Sequence, residues 1–370
     1  MRLSAAAVGL SLPRSFALGM ALALALALAI VSGLPPSAAA APFGTETYQP
    51  HRESAIAGTP FTRYFTTDRF QREITFYLSD APDSVGPLPL IVHIQGSGGN
   101  SNFTERDGKI VTQNGQGTLY GVCRGRARTL MVEKPGVRFL DPAAKPGERP
   151  GTDEFCREHT LERWTEAVKA AIRAARRIPG VRQDRLLVMG HSEGGLVACC
   201  VARELGTAVT HVACLSGGGP TQLYDLIELV RRGQLMGNSS GDPETRVKSF
   251  LALWDDVLAD SMSADKLFLG HPYRRWFTFL RSSPMQELTP VNARIYVAQG
   301  LEDASVDPES ADVLFAELKA QGKDVTYDRV PGATHAYAVK DRPNENGWQK
   351  LLGRVVDWYL NDNRTTGGSR

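Results

Sequence analysis

At 370 residues, 42% of them hydrophobic, the chain can hold one large domain with an insertion and is too apolar for bulk disorder. Its formal charge is +2, and that excess corresponds to Arg2 and Arg14, so the remainder is neutral. A neutral chain lacks the basic footprint that nucleic acid requires, and no nucleic-acid partner is expected.

Arg2 and Arg14 are followed by an almost wholly apolar run, Phe16 to Leu34, and then by Pro35-Pro36-Ser37 and four alanines before Pro42. This order predicts a secretory signal peptide over residues 1–40, cleaved after Ala40. An uncleaved anchor is the alternative, because the run approaches the ~20 residues that span a bilayer. With cleavage, no stable membrane span is expected, and the protein is exported, periplasmic or secreted if bacterial. Residues 41–68 carry little pattern and read as an N-terminal arm.

From Phe70 to Leu78 the apolar positions Ile74, Phe76 and Leu78 alternate, predicting a half-buried strand. Leu88 to Ile94 is a nearly continuous apolar strand that runs into Gln95-Gly96-Ser97-Gly98-Gly99. Arg128 to Val132 is another strand, and residues 141–155 form a loop rich in Pro and Gly. Leu161, Trp164, Val168, Ile172 and Ala175 recur at steps of three and four, predicting an amphipathic helix closed by Pro179-Gly180. Strands follow at Arg185–Met189, Thr210–Leu215, Arg294–Ala298 and Val325–Val330. Helices are expected over Gly194–Leu205, Ser310–Gln321 and Trp348–Leu360, and residues 363–370 read as a flexible tail.

Strands alternating with helices predict an α/β fold with a mostly parallel sheet covered on both faces. Residues 69–219 and 291–362 form this core. Residues 220–290 contain no convincing strand and many aromatics, including Trp254, Phe268, Trp276 and Phe279, and read as a helical lid over the strand ends. In such sheets function gathers at the carboxyl ends of the strands.

The segment Gly190-His191-Ser192-Glu193-Gly194 is a G-x-S-x-G motif between an apolar strand and a helix. That context makes Ser192 the expected nucleophile, exposed on a tight strand-to-helix turn. A serine hydroxyl needs a base. His335, in Pro331-Gly332-Ala333-Thr334-His335-Ala336, follows the last strand and is chosen over His211 and His271. His191 is assigned to packing. The acid that holds the imidazole is Asp303, directly after a strand, with Asp307 and Glu302 as rivals; Asp307 before Pro308 fits a helix start better. Two backbone N–H groups should stabilise the oxyanion, that of Glu193 and one from the glycine loop, Ser97 or else Gly98.

These motifs, GHSEGG, QGLEDASV and PGATHA in that order, resemble those of the α/β-hydrolases, over nearly all of residues 70–360. Within that superfamily the chain is most similar to the dienelactone-hydrolase and prolyl-oligopeptidase-like group. The resemblance implies two-step acyl transfer with no metal or organic cofactor, on a small-molecule ester or peptide. One departure is Gln95-Gly96, where many members have His-Gly; His93 lies two residues earlier. An exported serine esterase or thioesterase is the first expectation, a serine peptidase with the same residues the second, and a non-catalytic binding protein the third. Glu193 could hold a peptide amino terminus or simply favour the helix dipole. Of five cysteines, Cys123 and Cys156 lie outside the expected core and are the expected disulfide pair.

Overall fold

The computed structural model describes residues 48–81, 84–145, 147–235 and 242–362; the expected signal peptide and the C-terminal tail lie outside them. The first half of the chain contributes β1 (His51–Ala55), β2 (Phe61–Thr67), β3 (Glu73–Ser79) and β4 (Leu88–Ile94). A small hairpin of β5 (Phe103–Arg106) and β6 (Lys109–Thr112) precedes α1 (Gln116–Cys123) and β7 (Arg128–Val132). Then come α2 (Asp153–Glu158), α3 (Leu161–Ala175), β8 (Val181–His191), α4 (Glu193–Leu205) and β9 (His211–Leu215). The insertion holds α5 (Gln222–Arg231), α6 (Pro243–Ala259), β10 (Leu267–Phe268), β11 (His271–Pro272), α7 (Tyr273–Phe279) and α8 (Pro284–Leu288). The chain closes with β12 (Arg294–Gly300), α9 (Pro308–Ala320), β13 (Val325–Val330) and α10 (Gly347–Leu360).

Nine strands form one sheet in the order β1-β2-β3-β7-β4-β8-β9-β12-β13. From β7 to β13 every neighbouring pair is parallel, and the β1, β2 and β3 pairings are antiparallel. The apolar run of β8 shows why both faces are covered. Leu186 and Val188 pack on one face with α3, α4 and α9, while Leu187 and Met189 pack on the other with α1 and α10. Alternate side chains of a strand point to opposite faces, so a run apolar at every position must be buried twice.

Three expectations change. Residues 51–67 are not an arm: they add β1 and β2 to the sheet, with Phe61 and Tyr64 buried. The Pro/Gly-rich loop ends in α2, capped by the Thr152 hydroxyl, which accepts from the Phe155 N–H. The Cys123–Cys156 disulfide is absent, because each thiol is buried in a separate apolar cluster, Cys123 under α10 and Cys156 beside Val137 and Phe155.

The insertion is largely helical, with one short hairpin. It has its own core, in which Phe250, Phe268, Trp276 and Leu280 pack together. Phe250, Trp254, Phe268, Tyr273 and Trp276 are spent on that core. Phe268 meets Phe250 at 5.8 Å and Trp276 at 5.7 Å between ring centroids. The insertion joins the main core through Phe279 and Leu288. Among the described residues no helix is long and apolar enough to cross a membrane.

Candidate active site

Ser192 stands between β8 and α4 with φ 57° and ψ −126°, a conformation that non-glycine residues avoid. Such strain costs of order 1–3 kcal/mol and persists only where the surroundings fix it. Here the Ser192 N–H donates to the Leu215 carbonyl at 2.8 Å, and the Ser192 carbonyl accepts from the Gly195 N–H at 2.8 Å. The motif glycines are steric necessities. A Cβ on Gly190 would lie 1.8 Å from the Gly194 carbonyl oxygen, and one on Gly194 would lie 2.3 Å from that of Ile94. Glu193 opens α4, so its N–H is among the donors that a helix leaves free at its start.

His335 and Asp303 come from the loops after β13 and β12. His335 Nδ1 lies 2.8 Å from Asp303 Oδ2. Asp303 is fixed on its other side: Oδ1 accepts from the Ser305 and Val306 N–H groups at 2.8 and 3.0 Å, and Oδ2 also accepts from Gln299 Nε2 at 2.9 Å. Burial would raise the Asp303 carboxyl, but His335 and these donors outweigh it and hold it below its ordinary value. The rivals are elsewhere engaged. Asp307 caps α9 and pairs with Arg232, and Glu302 is exposed near Lys340.

The loops that carry Asp303 and His335 are stapled by the backbone, where the Glu302 N–H donates to the Ala333 carbonyl at 2.9 Å. His191 adds a contact that the sequence reading assigned only to packing. Its Nε2 lies 2.8 Å from the His335 carbonyl oxygen, which makes that nitrogen the donor. Burial, then the neighbouring His335, lowers His191 to about 3, so it is neutral. His211 lies at the far end of β9 against Asp362, and His271 packs on Trp276 in the insertion.

Ser192 and His335 share the wall of a cavity of about 500 Å³, with Gly96, Ser97, His93 and Trp348 among the other lining residues. Gly98 is not in that wall. The glycine loop is held from behind by Lys134, a buried residue that the sequence reading missed. Its ammonium donates to the carbonyls of both Gly96 and Gly98 and lies 4.6 Å from the Trp164 ring centroid. A trans peptide points its C=O and N–H in opposite directions. The Gly96 carbonyl faces Lys134, so the Ser97 N–H faces away from it. Gly96 is close to Ser192: a Cβ there would lie 3.2 Å from Ser192 Cβ and 3.7 Å from its Oγ. Burial lowers Lys134 to about 8 although Glu193 pulls the other way.

Glu193 turns its side chain away from the cavity. Oε2 accepts from Arg275 Nε at 2.7 Å and from Arg275 Nη2, and Oε1 lies 2.9 Å from His159 Nε2. Burial would raise this carboxyl, yet Arg275 and then His159 hold it well below its ordinary value. Among the described residues no cluster of His, Cys, Asp and Glu could hold a metal ion.

Residues 119–346 match the model of the alpha/beta hydrolase family. The chain belongs to that family. Among curated proteins none matches. The hydrolase resembles, among solved structures, Est1E from Butyrivibrio proteoclasticus, with TM-score 0.51 and 19% identity over 81% of this chain and 98% of that one. It also resembles acylaminoacyl peptidase from Pyrococcus horikoshii, with TM-score 0.55 and 13% identity, covering 87% of this chain and 43% of the peptidase. Dipeptidyl peptidase 4 of Porphyromonas gingivalis gives TM-score 0.52 and 13% identity, covering 83% of this chain and 36% of that one. At these identities the likeness is one of fold.

Proposed function

We propose that the protein is a serine hydrolase that cleaves carboxylic esters through an acyl-enzyme. The observation that carries this reading is the His335–Asp303 contact of 2.8 Å, with His335 and Ser192 in one cavity wall. In the proposed reaction Ser192 Oγ attacks the ester carbonyl carbon and His335 Nε2 takes its proton. Asp303 holds the Nδ1–H and stabilises the imidazolium. Negative charge grows on the carbonyl oxygen, for which the Glu193 and Ser97 N–H groups are the donors. Lys134 keeps the Ser97 peptide turned the right way. His335 then protonates the leaving alkoxide, and water repeats the sequence on the acyl-enzyme to release the acid. A thioester would follow the same course.

A peptidase would use the same three residues. The sequence offered Glu193 to hold a peptide amino terminus, but that carboxylate is engaged by Arg275 and His159. The ester reading is therefore preferred. Residues 1–40 further support export, which sequencing the amino terminus of the secreted or periplasmic protein would test.

The deciding experiment treats the protein and its Ser192→Ala variant with a fluorophosphonate probe and a series of p-nitrophenyl esters. Labelling and turnover that vanish in the folded variant are expected. Absence of both in folded wild-type protein would overturn the reading and favour a binding protein of the same fold.

A further inference from the structure

Ser192 follows β8 and His335 follows β13, and β9 and β12 lie between those two strands in the sheet. At the usual spacing of neighbouring strands, β8 and β13 run about 14 Å apart. Yet the two residues share one cavity wall. The segment after β13 therefore returns across the ends of β12 and β9, and it is pinned at each step. Just past β12 the Glu302 N–H donates to the Ala333 carbonyl at 2.9 Å, and within β12 the Ala298 carbonyl accepts from the Tyr337 hydroxyl at 3.0 Å. Just past β9 the Ser216 hydroxyl donates to the Tyr337 hydroxyl oxygen at 3.0 Å. Tyr337 is fully buried with φ 59°, a backbone that such a residue keeps only where its surroundings fix it.

At β8 the pin is His191, the last residue of the strand and the chain neighbour of Ser192. Its Nε2–H donates to the His335 carbonyl at 2.8 Å. The bond engages the His335 backbone, so it takes neither ring nitrogen of His335, of which Nδ1 is held by Asp303. The His191 ring is itself packed, with Trp348 at 5.1 Å and Tyr337 at 6.2 Å between centroids. Burial lowers His191 to about 3, with His335 the next cause, which leaves an uncharged donor beside an imidazole that has to take up a proton. A cation in its place would oppose that proton.

We propose that His191 is a positioning residue, whose N–H ties the His335 segment to the end of β8, where Ser192 stands, and so fixes the imidazole at the serine hydroxyl. The proposal rests on the serine-hydrolase reading for what the imidazole does there. The other pins fasten the segment to β9 and β12, and a segment held only there can swing towards or away from β8. The bond from His191 removes that freedom. Its donor is borne by the residue next to Ser192, so the turn and the imidazole keep their spacing. A misplacement of about 1 Å between reacting groups can cost about 100-fold in rate.

The test uses the full chain with three substitutions. His191→Phe keeps a ring and loses the donor, His191→Gln keeps an N–H at similar reach, and His191→Asn has the same amide one methylene shorter. With p-nitrophenyl butyrate, His191→Phe and His191→Asn should lower kcat by about 10- to 100-fold with KM little changed, while His191→Gln should stay within about threefold of wild type. Fluorophosphonate labelling should slow in the same order. A readout that needs no turnover is the proton resonance of the His335 Nδ1–H held by Asp303, assigned by its loss in His335→Gln. It should be resolved downfield in wild type and His191→Gln, and be lost to solvent exchange in His191→Phe and His191→Asn. His191→Asn decides the matter if His191→Phe fails to fold. A wild-type rate and resonance in His191→Phe or His191→Asn, or a His191→Gln variant as slow as His191→Phe, would overturn the proposal. His191 would then be packing alone, and the serine-hydrolase reading would stand. A resonance that follows the donor in a chain that turns over no ester and takes no probe would support the positioning role and overturn the serine-hydrolase reading instead.

Discussion

Arg275 in the insertion and Glu193, next to the proposed nucleophile, form a buried ion pair, each side chain 1% exposed. The pair ties a segment whose described residues line none of the Ser192 cavity to the helix that follows Ser192. Arg275 also lies 4.0 Å from the Trp276 ring centroid and 4.7 Å from that of Phe279, so its charge is clamped on three sides. The contact joins the insertion to the residue next to Ser192.

Removing one member of a buried pair leaves a bare charge. Arg275→Met should destabilise the protein by about 3–5 kcal/mol, measured by urea denaturation. The double variant Arg275→Met with Glu193→Leu should recover much of that loss, because neither charge of the pair is then left bare and the remaining cost is the contact that His159 loses. A double variant no better than the single would show that the pair's charge is not the cause.

Lys134 holds the glycine loop proposed to stabilise the oxyanion, and it is not in the cavity wall. Lys134→Met should lower kcat by about 10- to 100-fold with KM little changed, below the 10²–10³ that loss of a direct oxyanion donor costs. A trifluoromethyl ketone, which places an oxyanion in the same position, should bind the variant more weakly, and product acid should not. Equal losses in both would mark Lys134 as merely structural.

Burial lowers Lys134 to about 8; Glu193 and Glu133 favour its charge and Arg275 opposes it. The charge on which the loop depends is therefore lost as pH rises through about 8. Wild-type kcat should fall on that alkaline limb, and the fall should be missing from Lys134→Met. Stability moves the other way. The unfolded lysine, with an ordinary value of 10.5, holds its proton where the folded one has released it, so between about 8 and 10.5 the wild type gains stability relative to Lys134→Met. Paired activity and denaturation profiles check both signs.

Gly96→Ala adds a methyl whose nearest neighbours are 3.2 to 3.7 Å away, a contact that small shifts can absorb. The variant should fold with near wild-type stability and lose acylation rate, read as slower fluorophosphonate labelling. Gly190→Ala differs in kind. Its methyl would lie 1.8 Å from a backbone oxygen, and the turn should not form, read as loss of the cooperative unfolding transition.

All five cysteines are free and buried. Ellman's reagent should find no fast-reacting thiol in the native protein and five after unfolding without reductant. Burial raises the Cys123 thiol to about 12, which adds to its inertness. Three thiols on unfolding would restore the disulfide.

Much of the parallel core was legible in the chain, because buried strands and amphipathic helices write their period into the sequence. β7 and β13 begin and end at the expected residues, and α3 begins at the expected Leu161 but ends at Ala175, before the expected stop at Pro179-Gly180. β1 and β2 were missed, since Arg52, Glu53 and Arg63 break the apolar signal of an edge hairpin that sheet pairing stabilises. Ser192, Asp303 and His335 could be nominated because each sits in a short motif after a strand. Bringing them to one edge of the sheet required β8, β12 and β13 to run parallel, with β9 between β8 and β12, and the 2.8 Å between His335 and Asp303 belongs to that arrangement. Lys134, Arg275 and His159 carried no usable local signal. A lysine under a loop and an arginine in a remote helix gain their roles only when folding removes water and leaves each charge to find a partner. The sequence thus determined which residues could react, through local turns and strand periods. The tertiary structure alone decided what holds them, because burial and partnership are properties of distance through space.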